Sequence, residues 1–155
     1  MVAIKSVPEI EQPTTKHFRV LVAGHDFKNQ DVLVSLLRQK GLELVLSPSL
    51  NEASSLLAHE DTALVISHAS STDGSFRDLL RVAARNKSKV PVIVCGDYYD
   101  PHLYLEAMEL GAFDYCVPYY RDGVEWVVAS ALREASGNEH TSYETKRTTL
   151  ESVRC

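Results

Sequence analysis

The chain has 155 residues, the size of one domain, and its 45% hydrophobic content is ordinary for a folded globular protein, which excludes disorder throughout. Its formal charge of −5 sits wholly between Phe18 and Ser136, where 11 basic residues face 16 acidic ones without a basic stripe, so nucleic acid is a poor direct partner. No run nears the roughly 18 apolar residues of a membrane span. The opening MVAIKSVPEI lacks the apolar stretch of a secretory signal. Cys95, Cys116 and Cys155 lack metal-ligand spacing and suit reduced thiols, two of them as buried apolar residues, so the expected compartment is the cytoplasm.

Residues 1–17 hold two prolines and mixed charge without periodicity and read as a flexible N-terminal tail, and the polar stretch 137–155 reads as its C-terminal counterpart. Between them, residues 18–136 form the expected domain. Strand-length runs occur at Phe18–Ala23, Leu42–Leu46, Ala63–Ile66, Val90–Cys95 and Asp114–Val117. The first, third and fourth are nearly continuous in apolar character, as central parallel strands covered on both faces should be. Helical stripes fill the gaps. Val32, Leu33, Leu36 and Leu37 make the first, closed by Gly41, while the second, around Leu50 to Ala58, is weakly marked. Phe76, Leu79, Leu80 and Ala83 make the third. Leu103, Ala107 and Leu110 make the fourth, opened by Asp100 with Pro101 at its first position and closed by Gly111. Val124, Val127, Val128, Ala131 and Leu132 make the fifth, from which Trp126 lies off the stripe and should be partly exposed. This alternation predicts an α/β, flavodoxin-like, doubly wound sheet of five parallel strands with five helices, whose site lies outside the carboxyl ends of the strands.

There the chain places Gly24, His25 and Asp26 after the first strand, Ser67 and His68 after the third, Gly96 and Asp97 after the fourth, and Pro118 after the fifth. Lone glycines without paired basic residues make a weak phosphate cradle. Ser67 lacks a nucleophile-elbow sequence, and no pair of titratable groups takes complementary acid and base roles, so an enzyme has little support. His25, His68, Asp97 and Cys95 are suitable metal-ligand types but show no short ligand spacing.

At these positions the chain resembles a family. RVLVAGHD (Arg19 to Asp26), TALVISH with the DG that follows, and VPVIVCGDYYDPHLYLEAMELGAFDYCVPYY (Val90 to Tyr120) are similar to the first, third and last two strands of the CheY-like receiver domain of bacterial response regulators. The resemblance covers Phe18 to Leu132. The family's phosphoryl chemistry does not carry over: Ser67 stands at the phospho-acceptor aspartate, Gly24 and His25 at the acid pair that binds magnesium, Gly96 at the hydroxyl after strand four, and Pro118 at the compensating lysine. Asp26 keeps an acid only in the third, non-ligand place. Without these carboxylates there is neither an acyl-phosphate acceptor nor a cation site. Tyr115 matches the aromatic that family members use as a rotating switch, and it reads equally as a half-buried tyrosine on an edge strand.

The resemblance thus implies an atypical, degenerate receiver, a pseudo-receiver of two-component phosphorelay signalling that neither takes up phosphate nor binds magnesium and acts through protein–protein interaction. Six of the seven tyrosines and the only tryptophan fall between Tyr98 and Trp126. Such aromatics are enriched at interfaces, so the expected working face joins the fourth helix, fifth strand and fifth helix, with Tyr104, Tyr115, Tyr119 and Trp126 as contact residues and a homodimer as its simplest use. The alternatives are a cobalamin-binding domain of the same layout, which His25, Ser67 and Gly96 match at single positions, and an emptied pocket that takes another small ligand. The Val117–Pro118 bond is expected trans on base rate.

Overall fold

The computed structural model describes residues 18–24, 28–59, 61–70, 74–85 and 89–135. Both expected tails, Ser136, His25 and Asp26 lie outside them, as does Cys155. Five strands and five helices alternate: β1 (Arg19–Ala23), α1 (Gln30–Gln39), β2 (Glu43–Ser47), α2 (Leu50–His59), β3 (Leu64–His68), α3 (Phe76–Arg85), β4 (Val92–Cys95), α4 (Pro101–Glu109), β5 (Asp114–Cys116) and α5 (Arg121–Arg133). The strands form one parallel sheet in the order β2-β1-β3-β4-β5. The flavodoxin-like doubly wound α/β class read from the sequence is the observed one.

The sheet is covered on both faces because neighbouring strand residues point to opposite sides. Val20 and Val22 pack with Leu33, Leu36 and Leu37 of α1 and Val124, Val128 and Ala131 of α5. Leu21 and Ala23 pack on the other side with Leu57 of α2, Phe76 and Leu79 of α3 and Ala107 of α4. The three central strands are buried almost end to end, whereas β2 and β5 are the edges and show mixed burial. Asp100 caps α4 by accepting hydrogen bonds from the backbone N–H of His102 at 2.9 Å and of Leu103 at 3.3 Å, with Pro101 at the start of the helix. A side-chain cap of this kind contributes ~1 kcal/mol.

Several boundaries shift. β3 runs two residues further than its apolar run, so Ser67 and His68 belong to the strand rather than to the loop after it. Pairing with β4, through Ser67 to Val94 and His68 to Cys95, overrides their weak strand propensity. β4 begins at Val92 instead of Val90, because Pro91 has no N–H to give to a ladder, although its carbonyl still accepts from Val65. β5 stops at Cys116, one residue before its predicted end. Leu110, predicted in the core stripe of α4, is 43% exposed at the helix's C-terminal end, and Ser130, not Leu132, takes a fully buried place on α5. The Ser130 hydroxyl meets its hydrogen-bonding need at the Trp126 carbonyl, 3.0 Å away. There is no cis bond among the described residues, so Val117–Pro118 is trans, as expected.

Candidate functional site

β1 is followed by Gly24, whose φ of +136° is a conformation that side-chain-bearing residues rarely adopt, and whose N–H donates to the Ser47 carbonyl at 2.8 Å. A carboxylate at this position would come with a strained backbone. Ser67 lies in register between Ala23 of β1 and Val94 of β4 and is fully buried, its hydroxyl turned to the His68 carbonyl at 3.2 Å.

His68 is buried and links β3 to the loop after β4: its Nε2 lies 3.0 Å from Asp97 Oδ1, and its Nδ1 lies 2.7 Å from the Ser70 carbonyl oxygen. The sequence placed His68 and Asp97 on separate loops; the strand register brings them together. Sulfur sits on the neighbouring pair, Cys95 and Cys116, which face each other across β4 and β5. Burial, with a contribution from Asp114, pushes the Cys116 thiol up to about 12, and burial also raises the Cys95 thiol well above its ordinary range, so both act as apolar side chains. Among the described residues, no group of three or more His, Cys, Asp or Glu could hold a metal ion.

The decisive geometry is at Gly96. A Cβ placed there would lie 2.1 Å from the Tyr115 hydroxyl oxygen, so the tyrosine from β5 occupies the volume that any side chain at position 96 would need. That hydroxyl donates to the Tyr98 carbonyl at 3.0 Å. Burial, reinforced by the nearby Asp100, raises the Tyr115 hydroxyl from 10.0 to about 12. Its ring makes edge contacts with Tyr99 and Tyr104 at 6.4 Å, and those two rings lie 6.1 Å apart. Such pairs add roughly 0.5–1.5 kcal/mol beyond area burial. Tyr115 is only 7% exposed. It is thus more buried than the half-buried edge-strand tyrosine expected from the sequence, and its ring lies against those of Tyr99 and Tyr104.

The other predicted aromatics divide by exposure. Tyr104 is half-buried, Tyr119 is exposed beside Tyr120 with ring centroids 5.2 Å apart, and Trp126 is half exposed. Arg121 and Glu125 of α5 turn toward α1, where they meet Gln39 and Lys40. Trp126 is a further ~100° round the helix from Glu125. It shares its row with Ser130 and Glu134. Pro118 is buried in the turn after β5. Sequence reasoning missed the Arg77–Glu106 pair, which ties α3 to α4 with Arg77 Nη2 donating to Glu106 Oε1 at 2.7 Å. Nothing in the local pattern pairs residues 29 positions apart. A groove of about 450 Å³ at the opposite end of β4 and β5 is lined mainly by apolar residues including Leu80, Val90 and Phe113.

No protein-family model and no curated protein matches the chain. Solved structures do. A CheY-like response regulator receiver domain protein from Methanospirillum hungatei JF-1 superposes with a TM-score of 0.66 at 20% identity, covering 78% of this chain and 98% of that one. A response regulator receiver protein from Pseudomonas putida gives 0.62 at 22%, covering 74% and 98%. The beryllofluoride-activated NtrC4 receiver domain dimer gives 0.67 at 19%, covering 76% and 98%. Likeness at this level of identity speaks for the fold, and the fold of this chain is that of the CheY-like response-regulator receiver domains.

Proposed function

We propose that this protein is a signalling domain of receiver type that works by binding other proteins, without phosphoryl transfer and without acting as an enzyme. The observation that carries the reading is the seat of Tyr115: its hydroxyl fills the place beside Gly96 in a chain that has Ser67 and Gly24 where receivers need carboxylates. The inward position of the aromatic is held by space and one hydrogen bond to Tyr98, with no phosphoryl group required. The expected partners are other signalling proteins of a two-component phosphorelay in the cytoplasm, rather than nucleic acid or membrane. The acidic charge of the domain supports the first exclusion; among the described residues no helix is long and apolar enough to cross a membrane.

The test is incubation with acetyl phosphate and magnesium followed by intact-mass measurement. The expected result is an unchanged mass, and a photo-crosslinker at Tyr119 should capture the same partner from the protein's own cell extract with or without that treatment. A one-phosphate mass gain that hydroxylamine removes would overturn the proposal. The cobalamin-type alternative is settled by the same sample, since a cobalamin protein is pink.

A further inference from the structure

We infer that the surface beyond β4 and β5 takes an arginine-bearing basic segment of its partner, an inference that rests on the protein-binding reading above and names the chemistry of what is bound. Two loops make this surface. They leave the sheet side by side, because the ends of β4 and β5 pair as Cys95 with Cys116 and the Gly96 N–H donates to the Cys116 carbonyl at 3.0 Å. The first loop shows Tyr98 at 68% and Tyr99 at 59% exposure; the second shows Tyr119 at 69% and Tyr120 at 62%. A tyrosine at such exposure leaves a ring face open to a partner, and clustered exposed aromatics mark interaction sites.

The rings do not stand alone. Residues 97–126 carry seven acidic side chains against one basic, Arg121; Glu106 and Glu125 are engaged by Arg77 and Lys40 and Arg121 is turned toward Gln39 of α1, which leaves Asp97 and Asp100 as the charges beside the rings of the first loop. Asp97, with 41% of its side chain exposed, and Asp100, at the α4 cap, flank Tyr98 and Tyr99 directly. Open aromatic faces next to carboxylates are the two complements of a guanidinium, which stacks on the first and pairs with the second. A second copy is the poorer occupant. In a symmetric pair the patch meets itself, and its carboxylates would oppose one another.

The surface is also held in shape before any partner arrives. The Tyr115 hydroxyl ties down the Tyr98 carbonyl, and the Tyr115 ring supports Tyr99 from below, so the loop enters binding with little ordering left to do.

The inference is tested by fluorescence anisotropy of the full chain with three labelled ten-residue peptides that alternate glycine and serine with arginine, lysine or glutamate. The expected order is arginine tighter than lysine, with no binding of the glutamate peptide, and weakening as salt rises from about 50 to about 300 mM. Tyr99→Ala and Asp97→Asn should each weaken the arginine peptide about fivefold or more, while Glu52→Gln on α2 leaves it unchanged. Equal loss in Glu52→Gln would show diffuse attraction to an acidic protein and overturn the inference. So would self-association in sedimentation that Tyr99→Ala abolishes, because the occupant would then be a second copy. If the partner crosslinked at Tyr119 meets the patch with an acidic or uncharged segment, the basic-segment inference fails while the protein-binding reading stands. Phosphate uptake from acetyl phosphate fails that reading whatever the peptides do.

Discussion

Where the central strands β1 and β3 finish, Gly24 and Ser67 are small and Ser67 is sealed, while beyond β4 and β5 the side chains are large and reach solvent. Gly24 turns through a positive φ, and Ser67 is wholly buried between Ala23 and Val94. Two strands further on, Tyr115 fills the space beside Gly96 and Tyr98, Tyr99, Tyr119 and Tyr120 stand open above it. The first place is filled by small residues and the second by aromatic ones. The difference teaches that small residues let the ends of neighbouring central strands close over one another. A strand end next to a sheet edge can become a contact surface.

The largest expected effect breaks the sealed end. Ser67→Asp places a carboxylate in a fully buried site whose one described side-chain bond is to the His68 carbonyl, so stability to urea should fall by about 3 kcal/mol at neutral pH and recover in part as acid protonates the group. It should not create phosphate uptake, because Gly24 still offers no cation ligand. A variant as stable as the parent would show that the site is wetter than its burial implies.

Next comes the seat of the aromatic. Gly96→Ala should drive the Tyr115 hydroxyl out and break its bond to the Tyr98 carbonyl, lowering stability by about 1–2 kcal/mol in urea unfolding and raising the solvent access of one tyrosine. No special φ at Gly96 demands a glycine, since the positive-φ glycines are elsewhere, so any effect reports the lost space. Unchanged stability and tyrosine access would mean that the ring moves freely.

Tyr115→Phe is milder and should cost about 1 kcal/mol at neutral pH, the worth of one hydrogen bond with its acceptor left near solvent. Its signature is in alkali. The hydroxyl titrates near 12 in the folded chain and near 10.0 when unfolded, so the unfolded chain loses that proton first; stability from this group is full below 10 and is lost as pH rises through 12. The phenylalanine variant should lack that share of the decline and keep the part owed to Cys116, which rises from 9.0 to about 12. Tyrosinate absorbance should lose its step near 12.

The smallest stability effect is expected on the open side. Tyr119 is 69% and Trp126 50% exposed, so replacing either by alanine should change stability by less than about 0.5 kcal/mol while partner capture weakens. Partner capture equal to the parent in the double variant would leave this face idle.

Much of the molecule was legible in the sequence. Continuous apolar runs named β1, β3 and β4 as central strands, the stripes on α1, α3 and α5 named their buried faces, and a single aspartate before Pro101 marked the start of α4. The exposure of Trp126 followed from its angle on the helix. These are local properties, fixed by period and capping. What sequence could not show depended on neighbours distant along the chain: that β3 extends through His68, that His68 meets Asp97, that Arg77 meets Glu106, and that Leu110 is left outside the core. Each is decided by strand register or helix docking, which no local pattern records.

Gly96 and Tyr115 show the division most plainly. The resemblance to receivers implied a glycine in the place of a hydroxyl and a tyrosine at the switch position, each as a separate departure or match. Only the pairing of β4 with β5, Val94 beside Tyr115 and Cys95 beside Cys116, decided that one residue's missing side chain is filled by the other's hydroxyl. The physical reason is that excluded volume belongs to pairs of residues, and the sheet alone determines which pairs meet.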